Sequence, residues 1–128
     1  MGAISRKKII SSFMEAWNAH DIDGIMKYMD EDSAFMEAAG MEVGGKVHVG
    51  KAKVRQGFSA VLERFPDAQW QLGEILVQGP RAYVEWMFTA SVSNNRRIQV
   101  NGIDILHFRG AKIKLKDSYI KNRPPVAA

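Results

Sequence analysis

From residue 68 onward the chain reads as four long strands with almost nothing between them, and this limits the fold more than any other feature. Residues 68–78, 82–93, 97–109 and 112–121 are rich in β-branched and aromatic side chains, separated only by "GPR", "NN" and "GA". Connections this short join antiparallel neighbours, so the spacing predicts a four-stranded meander. In the first of these strands Trp70 and Leu72 alternate in one phase, Ile75 and Val77 in the other. A bulge near Gly73 reconciles the two halves and curls the sheet.

The first half of the chain has a helical texture. Residues 4–20 carry Ile9, Ile10, Phe13, Met14 and Trp17 at helical spacing. Asp21 stands as N-cap of a second, short helix whose apolar stripe is Ile22, Ile25, Met26 and Met29. A third helix is expected from Lys51 to Phe65, with Val54, Phe58, Val61, Leu62 and Phe65 on one face and Pro66 helping to end it. Between the second and third helices, "SAFMEA" and "EVGGKVHV" read as two short strands. Helices early and a curved, mostly antiparallel sheet late predict an α+β domain, three helices covering the concave face and enclosing a pocket. At 128 residues, without repeat or linker, a single domain over 1–128 is expected, with 122–128 ("NRPPVAA") as a loose tail.

Composition removes several classes of partner. No apolar run approaches the roughly 18 residues that span a bilayer. The start "MGAISRKKIISSF" is too weakly apolar for a signal-peptide core, so a cytoplasmic location and no membrane partner are expected. Absence of cysteine excludes disulfides and thiolate chemistry. The net charge of +4 is scattered and lacks an aromatic-basic platform, so nucleic acid is not an expected partner. His20, His48 and His107 lack ligand spacing, and neither a metal nor another cofactor is expected.

Within "VNGIDILHF" one strand row is Val100, Gly102, Asp104, Leu106 and Phe108, a carboxylate in an apolar series. If that face is buried, Asp104 must find a partner, shift its pKa or do chemistry. Two readings stand: a structural carboxylate bonded to Trp17, Trp86 or a backbone amide, or a functional group. Gly102 withholds a side chain from the same row, leaving room for a ligand. Trp17 and the row Val84, Trp86, Phe88 are expected to line the interior. On the last strand Ile113 and Leu115 make one row the greasier, which puts Lys116 at the rim, stem buried and ammonium outward. The outward rows then hold Tyr83, Met87, Ile103, Ile105, Ile113 and Leu115, six apolar side chains that predict a homodimer through the convex face.

"AWNAHDIDGIMKYMDEDSAF", "VGKAKVRQGF", "FPDAQW" and "VNGIDILHFRGAKIK" fall in the order and spacing of a known group. From about Ile10 to Ile120 the chain resembles the SnoaL-like branch of the nuclear transport factor 2 superfamily, with ketosteroid isomerase and small polyketide cyclases among its relatives. The resemblance implies a cone-like fold that pairs through its sheet and that hosts enzymes and non-enzymes alike. It puts Asp104 where ketosteroid isomerases carry a protonated aspartic acid, and Glu37 at their proton-shuttling base. Phe13 stands where they have an oxyanion-hole tyrosine, and phenylalanine cannot donate. Against the cyclases, Asp104 replaces a histidine and Ser118 an acid-base aspartate; Gly102 replaces an arginine of related epoxide hydrolases. The resemblance also turns Lys116, Ser118 and Ile120 inward.

The candidate catalytic residues are therefore Asp104 and Glu37, holding one proton between them if they share a pocket. The candidate substrate-binding residues are Phe13, Trp17, Phe58, Trp86, Phe88, Val100, Gly102, Leu106, Lys116 and Ser118. The expected function is binding of a small hydrophobic molecule, with cofactor-independent proton transfer next to a carbonyl, as in an isomerase, cyclase or dehydratase. The alternative is a dimeric ligand-binding or accessory protein without chemistry.

Overall fold

The computed structural model describes residues 5–93 and 95–128. Ser5 caps the first helix, α1 (Arg6–Asn18), by accepting from the Lys8 amide, and Asp21 caps α2 (Ile22–Met26) by accepting from Gly24. Strand β1 (Met29–Met36) follows, then β2 (Val47–Val49) and α3 (Lys51–Arg64). The meander is β3 (Gln69–Gln78), β4 (Arg81–Val92), β5 (Arg96–Arg109) and β6 (Lys112–Ile120), and β7 (Val126–Ala127) closes the chain. One curved sheet results, in the order β2-β1-β6-β5-β4-β3, with β7 on β5. All its pairings are antiparallel except β1 with β6. This is the expected α+β architecture. The turn expected at "NN" falls partly on Asn94, and the helix start expected at Ile4 on Ile4 itself; both lie outside the described residues.

The predicted bulge is present: pairing of β3 with β4 changes register between Leu72 and Ile75. A second bulge is not legible in the sequence. His107 pairs with Leu115 but Phe108 with Ile113, which leaves Lys114 as the extra residue of β6. That residue reverses the strand's parity. Ile113 is fully buried beside Phe108, Leu115 is on the outer face, and Lys116 turns inward. Two expectations are corrected by this one irregularity: Ile113 does not belong to the outward row, and Lys116 is not at the rim.

Other corrections are local. Met29 opens β1 rather than closing the stripe of α2, and β2 is three residues long because Gly44 and Gly45 make the preceding turn, Gly45 at φ +79°. The tail is not loose. Val126 and Ala127 pair with Arg97 and Arg96, Arg96 donates to Pro125 O, and Arg123 donates to Gln99 O.

The core lies between the sheet and the helices: Ile9, Ile10, Phe13, Met14 and Trp17 of α1 and Val54 and Phe58 of α3 meet the inward rows of the strands. Arg6 fastens the end of α1 to the β3–β4 and β5–β6 turns, donating to Gly79 O and Gly110 O above the Phe108 ring. At the opposite end of α1 the Asn18 amide exchanges two hydrogen bonds with the Trp70 backbone, which satisfies part of the free edge of β3. On the outer face Tyr83, Met87, Ile103, Ile105, His107, Leu115 and Asp117 are all half-buried. Burial, together with the neighbouring Arg81 guanidinium, pushes the His107 imidazole below its ordinary range. Burial raises the Asp117 carboxyl. If the bulge at Lys114 sets the facing of β6, Ile113→Ala will destabilise the protein by about 2–5 kcal/mol, a core truncation. Leu115→Ala will then cost less than about 1.5 kcal/mol. Urea unfolding of the two variants measures the difference.

Candidate functional site

Asp104 is 2% exposed and lies on the inner row of β5, between Val84 of β4 and Ser118 of β6 in register. Its Oδ1 accepts from Ser118 Oγ at 2.7 Å and from Lys116 Nζ at 3.3 Å; its Oδ2 accepts from Trp86 Nε1 at 3.1 Å. Lys116 Nζ also donates to Ser118 Oγ at 2.8 Å. Three donors converge on one carboxylate, the arrangement an ionised group requires when water is excluded. The set follows from strand periodicity: Asp104, Lys116 and Ser118 share the inward face of two paired strands, and Trp86 reaches in from the third.

Lys116 is 7% exposed. Its ammonium sits 4.9 Å from the Phe35 ring centre, 5.3 Å from Trp17 and 5.7 Å from Phe58. The stem is therefore not a snorkel to solvent; the charge ends inside an aromatic cage. Each ring face attracts the cation, by up to about 2 kcal/mol where water is displaced. The cage is fixed in turn by edge-on contacts of Trp17 with Phe58 and Trp70, and of Phe35 with Phe58. Trp17 is 2% exposed, yet its indole Nε1 has no hydrogen-bond partner among the described residues.

Glu37 has a different partner. It follows β1, and its Oε2 lies 2.6 Å from His48 Nε2, which carries the hydrogen donated to it. The His48 ring stacks on Phe35, 5.4 Å between centres, and lies flat against Gly57 of α3, where a Cβ would come within 3.0 Å of the ring. Among the described residues Glu37 and Asp104 make no hydrogen bond to each other; one carboxylate is held by an imidazole, the other by an ammonium, a hydroxyl and an indole.

Of the candidate binding residues, Trp86, Lys116 and Ser118 bond to Asp104, and Trp17 and Phe58 face the Lys116 ammonium. Leu106 pairs with Lys116 and is buried beside it, and Phe13 backs Trp17 edge-on. Phe88 and Val100 pair with each other farther along the sheet, where Phe88 packs on Phe65 and Trp70. The room expected at Gly102 is filled: a Cβ there would lie 2.3 Å from Trp86 Cη2. An open depression of about 690 Å³ crosses β3 to β6, lined in part by Leu72, Trp86, Gly102, Tyr119 and Ile120. Most of its lining faces outward, Glu85, Met87, Ile103 and Tyr119 included, and of the Asp104 cluster only Trp86 is part of it. Phe35 and His48 were missed from the sequence. Phe35 shares the face of Glu37, which was signal enough. His48 was hidden because "VHV" looks like two core valines around an exposed polar residue, whereas Val47 and Val49 are the exposed ones. Among the described residues no group of three or more His, Asp or Glu is arranged to hold a metal. None of the described helices is long and apolar enough to cross a membrane.

Comparison with known proteins gives this geometry a context. The SnoaL-like domain model matches residues 10–115. No curated protein sequence matches. Among solved structures, a cystatin-fold protein of Novosphingobium aromaticivorans is 20% identical with a TM-score of 0.74, over 94% of this chain and 100% of that one. A candidate polyketide cyclase of Pseudomonas putida KT2440 is 18% identical with a TM-score of 0.73, over 94% and 93%. A protein with a ketosteroid isomerase-like fold from Catenulispora acidiphila, solved in complex with trimethylamine, is 15% identical with a TM-score of 0.75, over 88% and 84%. At these identities the likeness establishes the shared α+β cone and nothing finer.

Removing one member of a buried ion pair leaves the other charge without compensation, at a cost of about 3–5 kcal/mol. Asp104→Asn and Lys116→Met are each expected to lose that much. The double variant is expected to be destabilised by clearly less than the sum, and a double-mutant cycle in urea measures the coupling.

Proposed function

Because this chain belongs to the SnoaL-like domain family, we propose that it binds a small, mostly apolar molecule against the Asp104 cluster and moves a proton on it without a cofactor. The observation that carries this reading is the cluster itself. An ammonium, a carboxylate, a hydroxyl and an indole N–H are gathered in an aromatic interior, where a well-packed apolar set would be as stable or more so. In this reading Asp104 and Lys116 hold the polar end of the ligand, and Glu37, oriented by His48, is the base. A positioned acid-base pair of this kind contributes about 10²–10⁴ in rate.

A second reading, ligand binding without chemistry, is favoured by the engagement of Glu37 with His48 rather than with Asp104. The two readings separate in one experiment. Small cyclic ketones are titrated by tryptophan fluorescence, and loss of their α-protons to D2O is followed by proton NMR. Proton transfer predicts protein-dependent exchange that falls at least about a hundredfold in Glu37→Gln. Binding without any exchange selects the second reading, and absence of binding removes both.

We further propose a homodimer through the outer sheet face. Tyr83, Ile103, Ile105 and Leu115 form a contiguous half-buried patch there, Leu76 and Tyr119 on the same face are exposed, and the helices cover only the other side. Light scattering at micromolar concentration is expected to give twice 14.3 kDa. Ile105→Arg is expected to give a folded monomer, and a monomeric unaltered chain removes the proposal.

A further inference from the structure

We propose that two copies of this chain fill each other's outer depression: the β1–β2 turn of one copy, carrying Met41 and Val43, seats in the depression that Leu72, Met87 and Tyr119 border on the other. The inference rests on the homodimer reading above and specifies which parts of the outer face meet.

The first argument is where apolar surface is left uncovered. Among the described residues, the large apolar side chains that remain exposed form two groups. Met41 and Val43, both fully exposed, stand on the turn after β1, with Val47 and Val49 of β2 beside them. Val47 pairs with Met36 and Val49 with Ala34, which pair in turn with Asp117 and Leu115, so this row faces outward. Gly44 of the turn lies against the Met36 side chain, which brings the turn to the outer face. In the second group, Leu72, Tyr119 and Ile120 border the depression, and Leu76 stands farther along β3. β2 and β3 are the two edges of the sheet. Exposed apolar side chains toward both edges of one face mark an interface as wide as the sheet. A second copy of the sheet has that width.

The second argument is shape and level. β1 runs parallel to β6 and Met36 pairs with Asp117, so the turn beyond Met36 lies level with Tyr119, which borders the depression. Protrusion and depression are thus at one level along the strands, on opposite sides of the face. Two stacked sheets keep their strands within about 30° of alignment. The twofold axis that relates them then runs either across the strands or along them. An axis across the strands lays β2 on its own copy and leaves both depressions open. An axis along the strands lays β2 over the other copy's β3 and keeps the level, so each turn enters the opposite depression and the match occurs twice. Close packing decides for the second arrangement. Methionine suits the contact, since its unbranched chain adapts to an irregular hole. Charge agrees: the turn carries Glu42 and Lys46, the depression Lys121 and Glu85, all exposed, so each acid has a base available across the contact.

Absence of cysteine makes crosslinking selective. Full-length Met41→Cys and Leu72→Cys chains are co-expressed and treated with a short bismaleimide; both positions are exposed, so neither change disturbs the core. The pair is expected to give at least about tenfold more covalent dimer than either chain alone, or than Met41→Cys with Lys53→Cys, an exposed site on α3 that reports chance collisions. The double variant Met41→Asp, Val43→Asp is expected to stay folded and to associate at least about tenfold more weakly in light scattering. A dimer whose Met41→Cys and Leu72→Cys chains link no better than the collision control overturns the arrangement while the dimer reading survives. So does a Val47→Cys chain that links to itself in their place, the mark of an axis across the strands. Unchanged association of the Met41, Val43 variant overturns it as well. A monomeric unaltered chain removes both proposals.

Discussion

The ion pair between Asp104 and Lys116 is the constraint around which the interior is arranged. Two charges sit on adjacent strands in a space that excludes water, and every nearby element answers to them. Ser118 bridges the pair from β6, Trp86 completes the carboxylate from β4, and α1, α3 and β1 each send one ring to the ammonium. A pair buried this deeply gains little net stability over apolar packing, since desolvation offsets the attraction. What it provides is selectivity among arrangements. A slip of β6 by one residue on β5 would turn Lys116 to the outer face and leave Asp104 alone in the core, so the charges fix the register of the central strands.

Several layers of the fold were legible because independent signals agreed. In α1 the five apolar residues at helical spacing are the five that are buried. The meander follows from turn spacing, and the first bulge from the phase change between Leu72 and Ile75. Asp104 stood out because alternation carried it inward with Val100 and Leu106. In each case local pattern and tertiary demand pointed the same way.

The remainder failed for identifiable reasons. Lys114 carries no mark of a bulge, and without it Ile113 and Leu115 look like one greasy row, which drives Lys116 to the wrong side. The likeness to a known family had already turned Lys116 inward, but could not foresee that its charge would end among Trp17, Phe35 and Phe58. The partner of Glu37 is not legible in the sequence, because His48 lies across a turn whose glycines decide the pairing. The tail reads as loose, although Val126 and Ala127 complete the ladder at the end of β5.

The parallel pairing of β1 with β6 has a consequence for how the chain reaches this state. Met29 meets Ile113, and Phe35 meets Lys116, contacts between the two ends of the sequence. Pairings of such long range carry a large loop-closure cost before they yield any stability, and they slow folding. During synthesis on the ribosome, β1 and the three helices emerge long before β6 exists, and Asp104 emerges before Lys116. Until β6 arrives, β1 has a free edge, the aromatic cage holds no cation, and the buried carboxylate has no countercharge. Completion of β6 is thus the step that commits the nascent chain, and a chain terminated before residue 116 would expose its apolar core to chaperones and proteases.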